Sequence, residues 1–255
     1  MSNISDFVKK HTSSACTIEQ LPLLHSCDCF ACRQIIDCEK LEARHCKVFK
    51  ENLLYFFYGK PAYPVSEKET KKRTDFEYCP VCFIVPCEKV AAYRVFPFDT
   101  GAFEAHKYDD FWHHSMSLDN FELDNTIDGI RQYVEVFFGS NYNYIQGQAS
   151  IEKATVDPYI NGLTSLLTAN GAFEIDERAR TIEVISRNDV PVNTAVECII
   201  LPEILLREPE ISKYLEDNKI YHMEYSVRKL TAPSRYNEVV FQKAMEYIRM
   251  QKGGV

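Results

Sequence analysis

Leu53-Leu54-Tyr55-Phe56-Phe57-Tyr58-Gly59-Lys60-Pro61-Ala62-Tyr63 is the stretch around which the rest of the chain is read. Apolar and aromatic residues run unbroken into a Gly-Lys-Pro turn with tyrosines on both sides. A run this short, bounded by turn residues, predicts a buried strand. Gly-Lys-Pro at its end predicts a close approach of backbone to something else. The rings of Tyr55, Phe57, Tyr58 and Tyr63 are open to two readings at this point, core packing or a platform at the mouth of a site.

Working outward, residues 81–85 and 91–96 predict further strands. The charged segment 66–77, which includes the basic run KETKKR at 68–73, predicts an exposed loop. On the N-terminal side, Ile18, Leu21 and Leu24 are spaced for a short amphipathic helix, with Pro22 tolerated in its first turn. Residues 25–46 show no clear period and read as a Cys-rich, loop-rich insertion, a lid or metal lobe, with a short helix over 39–43. Further on, the turn at 96–103 carries one acid, and Ile127, Ile130, Val134 and Phe137 predict a helix over 127–138. A second helix follows Pro158, and a strand at 181–186 breaks at Arg187-Asn188-Asp189. The nearly continuous apolar run 195–201 predicts another strand. Short helices are expected after Pro202 and after Pro209, a strand over 220–227 and a terminal helix over 236–250. Helices and strands mixed without strict alternation predict a single α+β domain over residues 1–255.

With 255 residues, 45% of them hydrophobic, the chain can fill a substantial core. Its apolar runs fall far short of the roughly 18 residues that a membrane span needs. The N-terminus lacks the basic and apolar regions of a secretory signal, so the cytoplasm is the expected compartment. A net charge of -8 argues against a surface that grips nucleic acid everywhere, but local basic patches remain available. The set Arg228, Lys229 and Arg235 is one. Nine of the ten cysteines precede residue 90, which in this context predicts reduced thiols or a metal rather than disulfides. Cys27, Cys29 and Cys32 with Cys79 and Cys82 could supply four thiolates to zinc, with His25 or His45 as substitutes. Cys82, inside an apolar run, and Cys46, ahead of Val48-Phe49, read instead as small buried residues. Unligated cysteines are the favoured expectation.

Gly-rich dinucleotide and phosphate-loop motifs are absent, as are His-Glu-x-x-His and Gly-x-Ser-x-Gly. Glu197, within Thr194-Ala195-Val196-Glu197-Cys198-Ile199, is a carboxylate expected mid-strand. It faces either a cleft or the water beside an open sheet face. His11-Thr12-Ser13-Ser14 gathers an imidazole and hydroxyls that could hold a ribose or phosphate, or could simply lie on the surface. His113 and His114 lack a partner at ligand spacing.

His11-Thr12, the stretch 54–63 and Glu197 together resemble the His-Tyr-Glu order of NAD-dependent ADP-ribosyltransferases. More narrowly, they resemble bacterial nucleic-acid-modifying toxins of the DarT or CmdT kind, found in toxin–antitoxin and phage-defence systems. The resemblance implies a split, strongly bent β core with flanking helices around an NAD-binding cleft. It implies that His11, with Thr12, holds the adenosine-side ribose, that Tyr58 or Tyr63 stacks on nicotinamide, that Lys60 neutralises the pyrophosphate, and that Glu197 is catalytic. Ala195 stands where arginine-directed members carry a second acid, which points away from arginine as target. Nucleobases or other protein side chains are left, with RNA ahead of DNA by analogy, and a neutralising protein antitoxin is implied. On this view residues 53–57 pack inward and 58–63 meet NAD. The rival readings are a transferase with a protein target and a zinc-stabilised interaction module.

Overall fold

The aromatic stretch forms a strand, Asn52–Tyr58, in a computed structural model that describes residues 3–13, 15–63, 75–151, 157–169, 177–229 and 231–251. In chain order the helices are α1 (Asn3–His11), α2 (Cys29–Cys38), α3 (Thr100–Glu104), α4 (Ile127–Phe138), α5 (Asn141–Ile145), α6 (Pro158–Thr168), α7 (Val192–Ala195), α8 (Pro209–Asp217) and α9 (Asn237–Gln251). The strands are β1 (Leu23–Asp28), β2 (Lys40–Leu41), β3 (Arg44–His45), β4 (Asn52–Tyr58), β5 (Pro80–Val85), β6 (Arg94–Phe96), β7 (Glu183–Ser186), β8 (Val190–Pro191), β9 (Cys198–Pro202) and β10 (Tyr221–Tyr225). The class is α+β, with helices and strands interspersed. Contacts group the chain into two compact units built from interleaved segments: Met1–Gln20, His45–Glu51 and Ala92–Ser186 in the first, Leu21–Arg44, Asn52–Ala91 and Arg187–Val255 in the second.

The second unit is organised on strands in the order β10-β9-β5-β1-β4. β1 is antiparallel to both β4 and β5, β5 is antiparallel to β9, and β9 runs parallel to β10. One row of paired residues crosses four strands: Cys198, Ile84, Leu24 and Phe57. Every residue of β5 and β9 is buried, which accounts for their continuous apolar character, since a strand covered on both faces has no reason to alternate. Asp28 caps α2 by accepting from the Ala31 N–H at 2.8 Å, and Glu39 ends it in the left-handed region at φ 57°.

Two sequence expectations change here. Residues 18–24 form no helix; Leu23 and Leu24 begin β1, the strand between β4 and β5. The Cys-rich segment is likewise no loop-rich lobe, because residues 25–46 hold most of β1, then α2, β2 and β3, and the helix runs over Cys29–Cys38 rather than 39–43. The basic run 68–73 lies outside the described residues.

In the first unit, α4, α6 and the β6–β7 antiparallel pair appear where the sequence places them. Thr126 caps α4 through the Gly129 N–H, and Gly139 closes it at φ 72°. Phe98 gathers Phe103, Tyr108, Trp112 and Phe121 at centroid distances of 5.3 to 5.8 Å, an aromatic cluster that fills much of this core.

Candidate functional site

His11 and Thr12 belong to the first unit, where both are engaged locally. The His11 Nδ1 donates to the Phe7 carbonyl at 2.8 Å, and its ring stacks on Phe7 at 4.0 Å. The Thr12 and Ser13 hydroxyls each donate to Glu135 at 2.6 Å, so they tie the end of α1 to α4 rather than converge on the imidazole.

The other four expected site residues lie in the second unit. Tyr58 is fully buried, and its hydroxyl accepts from the Leu21 N–H at 2.9 Å. Gly59 holds φ at 72°, and its N–H reaches the Pro22 carbonyl at 2.8 Å, so the close approach predicted from Gly-Lys-Pro is a turn locked against the entry to β1. Lys60 is 0% exposed, which places its ammonium inside the fold rather than at a solvent-facing phosphate. Tyr63 is partly exposed, but its hydroxyl is buried, and burial, with Cys82 nearby, pushes that hydroxyl's pKa well up. The division into a packing half and a site half does not follow burial: residues 58–62 are all buried, as are Leu53, Leu54 and Phe56, whereas Tyr55 and Phe57 are half-exposed.

Glu197 is not mid-strand. It is exposed and precedes β9 by one residue, because Pro191 and the helical turn α7 delay the start of the strand. Its N–H bonds to the Ile84 carbonyl at 3.0 Å, which anchors the backbone at the head of the sheet. The Tyr247 hydroxyl of α9 donates to its Oε2 at 3.3 Å. Burial, then the Glu197 charge, raises the Tyr247 pKa, so the phenol remains a donor across the physiological range. Relative to the Cys198–Ile84–Leu24–Phe57 row, Glu197 and Tyr58 both lie one residue toward the same end of the sheet.

His25, read from sequence only as a substitute zinc ligand, stands on β1 one residue beyond that row. Its half-buried ring packs edge-on against Phe56 at 5.8 Å and near Phe83 at 6.3 Å. The Nδ1 lies 2.9 Å from the Tyr55 carbonyl. A carbonyl only accepts, so Nδ1 carries the proton and Nε2 keeps a free lone pair. Burial lowers the imidazole pKa below its ordinary 6.5, the Tyr55 bond opposes, and the Arg44 charge lowers it again. A neutral ring results at pH 7. With Ser26, Ala31, Ile35, Arg44 and Tyr55, His25 lines a cleft of about 260 Å³. An acceptor nitrogen, an exposed guanidinium and an apolar floor suit a sugar phosphate, with the Glu42 carboxylate of the same lining paired to Lys40 at 3.2 Å. With strands about 4.8 Å apart and about 3.3 Å per residue, two strands and two residues separate the backbones of His25 and Glu197 by about 12 Å.

None of the ten cysteines is joined in a disulfide. Burial pushes the Cys32 and Cys82 thiols up to about 12 and Cys79 to about 11, and unionised thiols are poor ligands and nucleophiles. Among the described residues no group of three or more His, Cys, Asp or Glu side chains is arranged to hold a metal. Nor is any described helix long and apolar enough to cross a membrane.

No family model and no curated protein matches the chain. A solved structure, DarT of Thermus sp. 2.9 in complex with carba-NAD+, is similar at 12% identity with a TM-score of 0.39, over 83% of this chain and 97% of that one. At that score the likeness assigns neither an activity nor a site.

Proposed function

We propose that the chain is an NAD-dependent ADP-ribosyltransferase of the toxin kind, with nucleic acid as acceptor and Glu197 as the catalytic carboxylate. The observation that carries this reading is the setting of Glu197: an exposed carboxylate at the head of β9, oriented by Tyr247, on the sheet that also carries His25 and the aromatic strand β4. The His-Tyr-Glu order is then met by His25 in place of His11, with all its members in one unit.

In the reaction the bond between nicotinamide and the ribose C1′ breaks, and nicotinamide leaves with the electron pair. Positive charge builds on the sugar, and Glu197 beside the ribose 2′-hydroxyl stabilises it, as carboxylates do in glycoside hydrolysis. A base nitrogen attacks C1′, and its proton passes to solvent. The His25 Nε2 accepts from a sugar hydroxyl and exposed Arg44 faces the pyrophosphate, the role that buried Lys60 is badly placed to fill. RNA stands ahead of DNA by the resemblance alone, and a protein antitoxin is the expected partner.

Incubation with adenylate-labelled NAD and separate pools of RNA, DNA and protein tests the proposal. Label is expected in nucleic acid with the wild type and lost with Glu197→Gln. Label in protein alone would overturn the acceptor.

A further inference from the structure

β10 is the edge strand of the second unit's sheet, and its first residue, Tyr221, is a large aromatic that is 50% exposed. Tyr221 pairs with Cys198, the residue after Glu197. Its ring stacks on Tyr247 at a centroid distance of 5.9 Å and an interplanar angle of 25°, and Tyr247 is the donor to Glu197. An exposed ring is therefore held two aromatic layers from the Glu197 carboxylate. Below it opens a groove of about 780 Å³, where Tyr221 and His222 meet Lys219 and Glu216 along with the apolar Leu206 and Leu215.

Downstream of β10 the chain carries three exposed cations, Arg228, Lys229 and Arg235, with no ion pair to any of them among the described residues. β10 itself spans about 13 Å at about 3.3 Å per residue, the reach of two or more nucleotides of extended strand, with the exposed Glu224 on it and the first of these cations three residues past its end. A stacking face at one end and cations at the other are the two components of a single-strand binding groove.

Resting on the function proposed above, we infer that Tyr221 is the stacking platform for the acceptor: a base of single-stranded nucleic acid lies on its outer face, the backbone runs toward Arg228 and Lys229, and the neighbouring nucleotide is presented to Glu197. A duplex is excluded from this seat, since its bases have no free face to offer. The choice of nucleic acid over a peptide rests on the cationic rim that follows the strand.

Tyr221 is exposed, so its replacement leaves the fold in place. Anisotropy with a fluorescent single-stranded oligonucleotide, without NAD, compares wild type, Tyr221→Ala and Tyr221→Trp. Tyr221→Ala is expected to weaken binding tenfold or more, as loss of a stacked base does, and Tyr221→Trp to restore it. Arg228→Gln with Lys229→Gln should lower the slope of log affinity against log salt by about 1.4, at about 0.7 per phosphate contact on a single strand. In parallel, transfer from NAD to the oligonucleotide should fall in Tyr221→Ala and recover in Tyr221→Trp. Equal oligonucleotide binding by wild type and Tyr221→Ala, or binding only of duplex or of peptide, overturns the inference. Absence of nicotinamide release with Tyr221-dependent binding intact would overturn the enzymatic reading and leave the platform standing.

Discussion

At the scale of single residues, two acid–base groups, the half-buried His25 and the buried Glu183, set the expected pH behaviour. His25 is held neutral by burial and by Arg44, with its remaining lone pair on Nε2. If that lone pair accepts from a sugar hydroxyl, nicotinamide release falls as pH drops through the His25 pKa, which lies below 6.5. The rate profile of His25→Asn should lack this acid limb; a wild-type midpoint above 6.5 would contradict the assignment. Glu183, in the first unit, is 3% exposed and accepts from the Thr100 hydroxyl at 2.7 Å and N–H at 3.2 Å. Burial, with Asp99 nearby, drives its pKa well up, and the Thr100 bonds only partly offset this. A carboxyl that keeps its proton better folded than unfolded contributes stability in full below its unfolded value of about 4.3, and that stability is lost as pH rises through the folded value. Thermal melts of Glu183→Gln should therefore gain on wild type more at pH 8 than at pH 4. An equal shift at both would contradict the buried-acid account.

Among the elements, those with one apolar stripe or one continuous apolar run are legible in the sequence, and those that mix polar residues and cysteines are not. α4 and α6 follow their apolar spacing closely, because each packs one face and leaves the other wet. The start of β1 reads as the end of a helix because Ile18, Leu21 and Leu24 are three apart, and the rest of the strand, half-buried at His25, Ser26, Cys27 and Asp28, shows no apolar alternation. α2 did carry a signal. Its buried residues Cys29, Cys32, Ile35 and Ile36 are spaced as a helix once the cysteines are counted as apolar, and Asp28 is a cap. β4 was legible as a strand but not in which rings it buries, because the turn at Gly59 folds residues 58–62 into the interior. Leu54 is 3% exposed on that strand, and Leu54→Ala should cost about 2–5 kcal/mol in chemical denaturation. A loss below about 1 kcal/mol would show that the strand is not core.

Across the whole molecule, the residues proposed for chemistry fall in the second unit, threaded through three separate segments of chain. Glu197 and its partner Tyr247 share one of these segments, yet fifty residues separate them: Glu197 is identifiable from its odd position in an apolar run, whereas only the placement of α9 joins Tyr247 to it. His11 drew attention as a histidine among hydroxyls, yet its neighbours serve Glu135, whereas His25 was masked by the cysteines around it. The central claim is that Glu197 stabilises the sugar cation, and nicotinamide release tests it most directly. Glu197→Gln should bind NAD as wild type does and release nicotinamide slower on the order of 10²–10³-fold, the scale of losing one electrostatic stabiliser. Release at the wild-type rate by the variant would contradict the account.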